Sequence, residues 1–140
     1  MKKRNSLLFL TFICGILSVF CSGCITADEP VLFNVEWKPA DPAPERAFLI
    51  FTADRRRVVG CAADNRFFGP VRFQEPDKIS VGMLGSTRMA SPNYRFEQKF
   101  MENLQAAKRF RFESKDELIL LDIDGEPCLR LHRKPAGEIR

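Results

Sequence analysis

Apolar and polar residues alternate in several short stretches of the chain, with the period of two that is typical of half-buried β-strands. In residues 31–38 the alternating apolar positions are Val31, Phe33, Val35 and Trp37. Apolar stretches elsewhere extend the prediction to further strands at 47–52, 57–61, 71–73, 78–84, 109–113, 117–123 and 127–133.

One segment has the period of a helix instead. Ser91 and Pro92 are typical of a helix start, because serine can cap free amides and proline fits the first helical position. Beyond them Phe96, Phe100 and Leu104 recur every four residues, which places them on one apolar face. Strands, one helix and again strands lack the alternation that a parallel sheet needs. The order predicts an α+β fold: a small antiparallel, barrel-like curved β-sheet with one amphipathic helix.

Prolines and glycines predict the connections between these elements. Three prolines make residues 39–46 a surface loop. Residues 60–69 hold two glycines and an Asp-Asn pair, and they predict a corner whose backbone needs positive φ. The pair Asp124-Gly125 predicts a tight hairpin.

The first residues have a different character and form no part of this domain. Lys2, Lys3 and Arg4 are followed by an uncharged, mostly apolar run to Phe20 and then by small residues. A basic head, a short apolar body and a small-residue exit are typical of a secretory signal peptide. We therefore predict a signal peptide at residues 1–23.

The exit from this signal predicts lipid attachment. Ser22, Gly23 and Cys24 resemble a bacterial lipobox, in which a cysteine thiol receives diacylglycerol, although Cys21 stands where leucine is usual. Cys24 is then the lipidation site and the membrane anchor, since each buried acyl methylene adds about 0.8 kcal/mol. A tether at 24–30, a domain at 31–134 and a flexible tail at 135–140 follow. The alternative is ordinary cleavage and a free periplasmic domain.

Charge changes when the signal is removed. The full chain carries 22 basic and 18 acidic residues, and loss of three basic residues leaves the remaining 117 residues near +1. Nucleic-acid binding needs a clustered basic face and is excluded as a partner class. Three successive arginines, Arg55 to Arg57, lie where one predicted strand connects to the next, and Arg57 begins the second of these strands. We interpret them as a solvated hairpin turn, with an anionic partner as the alternative.

Two cysteines remain in the predicted domain once Cys14, Cys21 and Cys24 are assigned to the signal and the anchor. An exported protein meets an oxidising compartment, where Cys61 and Cys128 could form a disulfide. Small buried free thiols are the alternative.

A set of motifs spans nearly all of residues 31–133. An early tryptophan is followed by a G-x-x-G-C-N-x-x-x-G block, a T-x-M-A-C block and a helix of the form E-x-x-F-x-x-x-L. This order resembles the META domain family, small proteins typified by heat-inducible bacterial envelope lipoproteins. The matching residues are Trp37; Gly60, Asn65 and Gly69; Thr87, Met89 and Ala90; Glu97, Phe100 and Leu104.

Two departures from the family pattern occur together. The cysteine of G-C-N falls on Asp64, and the cysteine that ends T-x-M-A-C falls on Ser91. Their joint absence implies that the two positions face each other. We expect Ser91 to cap the helix and Asp64 to accept backbone amides at the corner.

No catalytic or metal-binding constellation is recognisable. His132 is the sole histidine, and the one potential ligand on the same face of its predicted strand is Cys128. A zinc site needs three or four ligands. The acidic residues near Gly125 lack the spacing of a calcium loop. We predict no cofactor, no metal and no enzymatic activity.

The resemblance implies a non-enzymatic envelope lipoprotein, related to stress or envelope maintenance, that contacts the membrane through its lipid and neighbouring envelope proteins. Ile25 after the anchor favours the outer membrane, facing the periplasm. Two alternatives remain open. One is a carrier of a small hydrophobic ligand or lipid inside the barrel, suggested by many phenylalanines. The other is a small inhibitor of a secreted enzyme that docks through loop 39–46.

Overall fold

The computed structural model describes residues 29–135. The predicted signal peptide 1–23, Cys24, most of the tether and residues 136–140 lie outside the described residues. Nine strands and one helix follow in chain order: β1 Trp37–Pro39, β2 Phe48–Phe51, β3 Arg57–Cys61, β4 Arg66–Gln74, β5 Lys78–Val81, β6 Gly85–Ser86, α1 Tyr94–Ala106, β7 Arg109–Ser114, β8 Glu117–Leu121 and β9 Pro127–Arg133.

The strands form one antiparallel sheet that closes on itself. Its order is β3-β2-β1-β9-β8-β7-β5-β4-β6, and β3 also pairs with β4. Two junctions have a single register pair each: Trp37 is opposite Leu49 between β1 and β2, and Lys78 is opposite Arg109 between β5 and β7. This curved, ring-like sheet with one helix confirms the predicted α+β class.

Aromatic side chains fill the space that the sheet encloses. Trp37 is fully buried, and its Nε1 donates to the carbonyl of Leu32 at 3.1 Å. Phe73 packs edge-on against both Phe33 and Phe51, with ring centroids 4.9 and 5.3 Å apart. Eight phenylalanines lie in such mutual contacts: Phe33, Phe51, Phe67, Phe73, Phe96, Phe100, Phe110 and Phe112.

Helix α1 packs its predicted apolar face onto the sheet. Phe100 and Leu104 are buried, and the Phe100 ring lies 5.8 Å from that of Phe67. The stripe at positions 96, 100 and 104 is therefore part of the core, as its spacing predicts. No helix in the described part of the chain is long and apolar enough to span a membrane.

The first predicted strand is largely wrong. Only residues 37–39 form β1, whereas 31–38 was predicted. Asn34 has a φ of 60°, a left-handed conformation that ends an extended strand although the alternating pattern continues. Before it, Phe33 forms a single parallel bridge with Phe51. Pro39, placed in the loop by the sequence, is the last residue of β1.

The glycines near position 60 have a different role from the one predicted. Gly60 lies within β3 and Gly69 within β4, and the turn between these strands contains no positive φ. A Cβ on Gly60 would collide with the carbonyl of Phe48 and the ring of Phe67. Glycine is required here because the neighbouring groups approach too closely for any side chain. Strand β4 begins at Arg66 rather than at the predicted position 71.

Candidate functional site: a buried polar network beside a surface cleft

Two polar side chains are buried in the described domain, Asn65 and Glu97, at 5% and 3% exposure. Asn65 ends the β3–β4 turn, and Glu97 lies in the first turn of α1. Burial of a carboxylate is costly unless hydrogen bonds compensate it. Their partners therefore determine how the turn and the helix are held together.

The Glu97 carboxylate accepts three hydrogen bonds from the turn. Its Oε1 accepts from the backbone amides of Asp64 and Asn65 at 2.7 and 2.9 Å. Its Oε2 accepts from Nδ2 of Asn65 at 2.8 Å. One helical side chain thus fixes two consecutive amides of a turn more than thirty residues away in sequence.

Asn65 connects the same turn to the segment that precedes the helix. Its Oδ1 accepts from the amide of Met89 at 2.8 Å and from the hydroxyl of Thr87 at 3.1 Å. Its Nδ2 also donates to the carbonyl of Met89 at 3.1 Å. Thr87 in turn accepts from the amide of Arg66 at 3.0 Å. Among the described residues, no buried side-chain polar atom lacks a partner.

The hydrogen bonds keep Glu97 ionised. Burial raises the pKa of its carboxyl, but the donors from Asn65 and from the amides of Asp64 and Asn65 outweigh that effect, so the pKa lies below its ordinary value. Because these hydrogen bonds stabilise the anionic form, the Glu97 carboxylate is a poor proton acceptor at neutral pH.

Asp64 and Ser91 lie on the rim of this network. The Ser91 hydroxyl donates to Oδ2 of Asp64 at 2.7 Å, and Nδ2 of Asn93 donates to the same oxygen at 3.0 Å. These donors, with Arg46 nearby, lower the pKa of Asp64. The prediction that positions 64 and 91 face each other is confirmed. The expectation that Asp64 accepts backbone amides is wrong, since its carboxylate accepts from the side chains of Ser91 and Asn93.

The predicted cap is displaced by two residues. Ser91 accepts from the amide of Asn93 at 3.0 Å, but Asn93 is the residue at the N-cap position and makes no side-chain cap bond. The Ser91 hydroxyl bonds both to the Asn93 amide and to Asp64. It therefore stabilises the turn that precedes α1 rather than the first turn of the helix.

A surface cleft of about 850 Å³ opens beside the network, between α1 and residues 84–90. Its apolar lining comes from Leu84, Met89, Tyr94 and Met101; Met89 and Tyr94 are more than half exposed. The volume lies in the range of small-molecule sites.

Sequence reasoning missed this cleft. A signal was present, because Tyr94, Gln98, Met101 and Gln105 repeat every three or four residues. They form a second helical face beside the core stripe.

The remaining motif residues serve packing or backbone contacts. Trp37, Phe100 and Leu104 are core residues, while Met89 contributes its backbone to the network and exposes its side chain. Ala90 is exposed and lines the cleft. No group of histidine, cysteine and carboxylate side chains in residues 29–135 could hold a metal ion.

Cys61 and Cys128 are free thiols in the structure, so the disulfide alternative is not realised. Cys61 Sγ contacts the carbonyl of Ala63 at 3.1 Å, and Cys128 Sγ contacts that of Leu120 at 3.4 Å. The two lie on β3 and β9, which are separated by other strands in the sheet. Burial, together with the charge of Asp122, raises the pKa of Cys128.

Comparison with known proteins gives a family match and a structural likeness. A family model described as the META domain matches residues 32–135. No curated protein matches the sequence. A solved structure, described as the NMR structure of the protein from Burkholderia xenovorans, is similar with a TM-score of 0.55 and 21% identity, over 75% of this chain and 85% of that chain. At this identity the likeness concerns the fold alone.

Proposed function

The chain belongs to the META domain family, and from this premise we propose that it is a non-enzymatic lipoprotein of the bacterial envelope, anchored through Cys24 and active in envelope maintenance under stress. The observation that carries the non-enzymatic part is the Asn65–Glu97 network. Its carboxylate and amide are occupied by internal partners, so this buried polar centre acts as a structural joint.

The anchor rests on residues 1–24, where a basic, apolar and small-residue order ends at a cysteine. The test is fractionation of the producing bacterium with Cys24→Ala against Cys21→Ala. We expect the first variant to leave the membrane fraction and the second to stay. Mass spectrometry of the N-terminal peptide should show acyl groups on residue 24; an unmodified Cys24 would refute the anchor.

The stress role is drawn from the family resemblance, and localisation at the outer membrane is drawn from Ile25. A deletion strain should lose viability or envelope integrity after heat or envelope stress, and the wild-type gene should restore it. Complementation by a Cys24→Ala chain would separate the role of the domain from its localisation at the membrane. A deletion strain that is indistinguishable from the parent under these stresses contradicts the proposal.

A second candidate function is binding of a small hydrophobic ligand, and the α1 cleft favours it. The phenylalanines that suggested a cavity inside the sheet instead pack against one another. The candidate binding site is therefore the cleft and not the interior of the sheet. We expect a fluorescent fatty acid to bind saturably. The double variant Met89→Glu, Tyr94→Glu should lose this binding, whereas Ile123→Glu, on the exposed β8–β9 turn, should keep it. Equal binding by all three proteins removes this candidate.

A further inference from the structure

We propose that the β2–β3 turn, residues 52–56, together with Arg57 at the start of β3, is a second membrane contact that binds anionic lipid headgroups through Arg55, Arg56 and Arg57. This arginine turn would hold the domain in one orientation on the bilayer. The inference rests on the proposed lipid anchor at Cys24, and it adds a surface of the folded domain to it.

The chain enters the fold directly beside the arginine turn. Phe33 bridges Phe51, the last residue of β2, and the amide of Asn34 donates to the Phe51 carbonyl at 2.8 Å. The guanidinium of Arg55 lies 4.7 Å above the Phe33 ring. The end of the tether and the turn are therefore fixed to one another by the fold.

The tether is short enough to keep this end of the domain at the membrane. Six residues lie between Cys24 and Val31, and the seven Cα–Cα steps that join the two span at most about 25 Å at full extension. Any acylated Cys24 therefore holds the arginine turn within reach of the headgroup layer, where positively charged side chains are attracted to anionic lipids.

The turn presents concentrated positive charge. Arg55, Arg56 and Arg57 are all exposed. Arg57 is opposite Pro70 on β4, so Arg72 is its diagonal neighbour on the same outer face and extends the basic surface. Guanidinium groups match phosphate oxygens through paired N–H donors.

The acid within the turn has a structural use. Asp54 accepts from the Thr52 hydroxyl at 2.5 Å and from the amide of Arg56 at 3.0 Å, and these bonds lower the pKa of its carboxyl. It shapes the turn, in which Arg55, Arg56 and Arg57 all remain exposed. The chain after the signal has 19 basic and 18 acidic residues, so it carries almost no net charge. Attraction to anionic lipids would therefore come from the local concentration of arginines in this turn.

This orientation also places the cleft. The arginine turn precedes β3 and the Asp64–Asn65 turn follows it, so the two turns lie at opposite ends of that strand. With the arginines on the headgroups, the polar network and the α1 cleft face away from the bilayer, open to soluble molecules.

The test uses the chain from residue 24 onward with Cys24→Ser, which retains all described elements and lacks the acyl chains. Sedimentation with phosphatidylcholine vesicles, with and without phosphatidylglycerol, measures binding. We expect binding only to the anionic vesicles, and a loss of binding in high salt. Each arginine removed should lower the partition constant about fivefold, so Arg55→Gln, Arg56→Gln, Arg57→Gln should lose about a hundredfold.

The matched control is Arg95→Gln, Lys99→Gln, Arg130→Gln, which removes the same charge at exposed positions on α1 and β9. It should bind like the parent. Fluorescence of the buried Trp37 checks that both variants fold. Equal losses in the two triple variants, or no binding of the parent to anionic vesicles, would overturn the proposal. Acylation of Cys24 is measured separately in cells, so failure of the anchor and failure of the arginine turn are distinguishable.

Discussion

The Ser91 hydroxyl donates a hydrogen bond to Oδ2 of Asp64 at 2.7 Å, across the gap between the β3–β4 turn and the segment that leads into α1. In the META pattern both positions are cysteines. The serine and aspartate of this chain therefore connect the same two segments, with a hydrogen bond where the family pattern has two thiols.

The double variant Asp64→Cys, Ser91→Cys should form an intramolecular disulfide, because the two side chains already meet. A loop of this length predicts a stabilisation of about 3.5 kcal/mol relative to the reduced form. Thermal unfolding with and without reductant measures the difference. The variant is best made with Cys61→Ala, since Cys61 lies only three residues from position 64.

Ser91→Cys alone, with Cys61 retained, is the control for pairing with the wrong thiol. Two free thiols after air oxidation of the folded double variant would show that positions 64 and 91 are not adjacent, and would contradict both the contact and the alignment with the family.

Glu97→Gln should destabilise the domain by about 2–4 kcal/mol, because the amide replaces a charged acceptor and places a donor against the amides of the turn. Urea unfolding followed by Trp37 fluorescence measures this, since the tryptophan is fully buried. The control is Glu102→Gln, an exposed carboxylate on the same helix, for which we expect less than about 0.5 kcal/mol. Equal effects would mean that the network contributes little.

Stability should fall as the pH is lowered below the usual carboxyl range. Folding lowers the pKa of Glu97 from its usual 4.5 and that of Asp64 from its usual 3.8. The unfolded chain therefore binds protons first, and the stabilisation present above those values is lost as the pH falls through the lower folded values. Glu97→Gln should flatten this dependence in urea titrations between neutral and acidic pH; an unchanged slope would contradict the assignment.

Gly60→Ala should cost about 1–3 kcal/mol or prevent folding, because the added methyl group meets the Phe48 carbonyl and the Phe67 ring. Gly85→Ala is the comparison, since its nearest neighbour is the movable ring of Phe68 at 3.2 Å. We expect a clearly smaller loss in thermal unfolding for the latter. If the two variants are equally stable, close approach does not explain the glycine.

The period of apolar residues predicts a helix or strand correctly where the backbone stays regular along the whole segment. In the helical stripe Phe100 and Leu104 are buried and Phe96 packs partly buried against the core, and β3 and β9 have the predicted bounds. The failure at residues 31–36 has a local cause, because Asn34 adopts a left-handed conformation that does not disturb the alternation of side-chain type. A pattern that records polarity cannot record backbone angle.

The polar network shows the same limit at the level of the site. Motif spacing identifies Asn65, Thr87 and Glu97, but their joint role depends on a turn, a segment and a helix that meet only in the folded sheet. Asp64 and Ser91 are a partial exception, because the paired absence of two cysteines implies their proximity. The motifs name some residues that line the cleft, among them Met89 and Ala90, and a helical period marks Tyr94 and Met101. Neither pattern shows that the helix and residues 84–90 leave a space between them.

Closure of the sheet has a consequence for the proposed anchoring, which would concentrate copies of the protein on a membrane. Each of the eight strands that form the ring has a neighbour on both sides, and in the described chain the remaining strand, β6, is only two residues long. Copies held side by side at a membrane collide far more often than free ones, and unpaired strand edges would let them add to one another. Here most strand edges of the ring are paired within one molecule, and the least protected backbone lies at the one-pair junctions of β1 with β2 and of β5 with β7. Crowded neighbours therefore meet with little free strand edge through which their sheets could fuse.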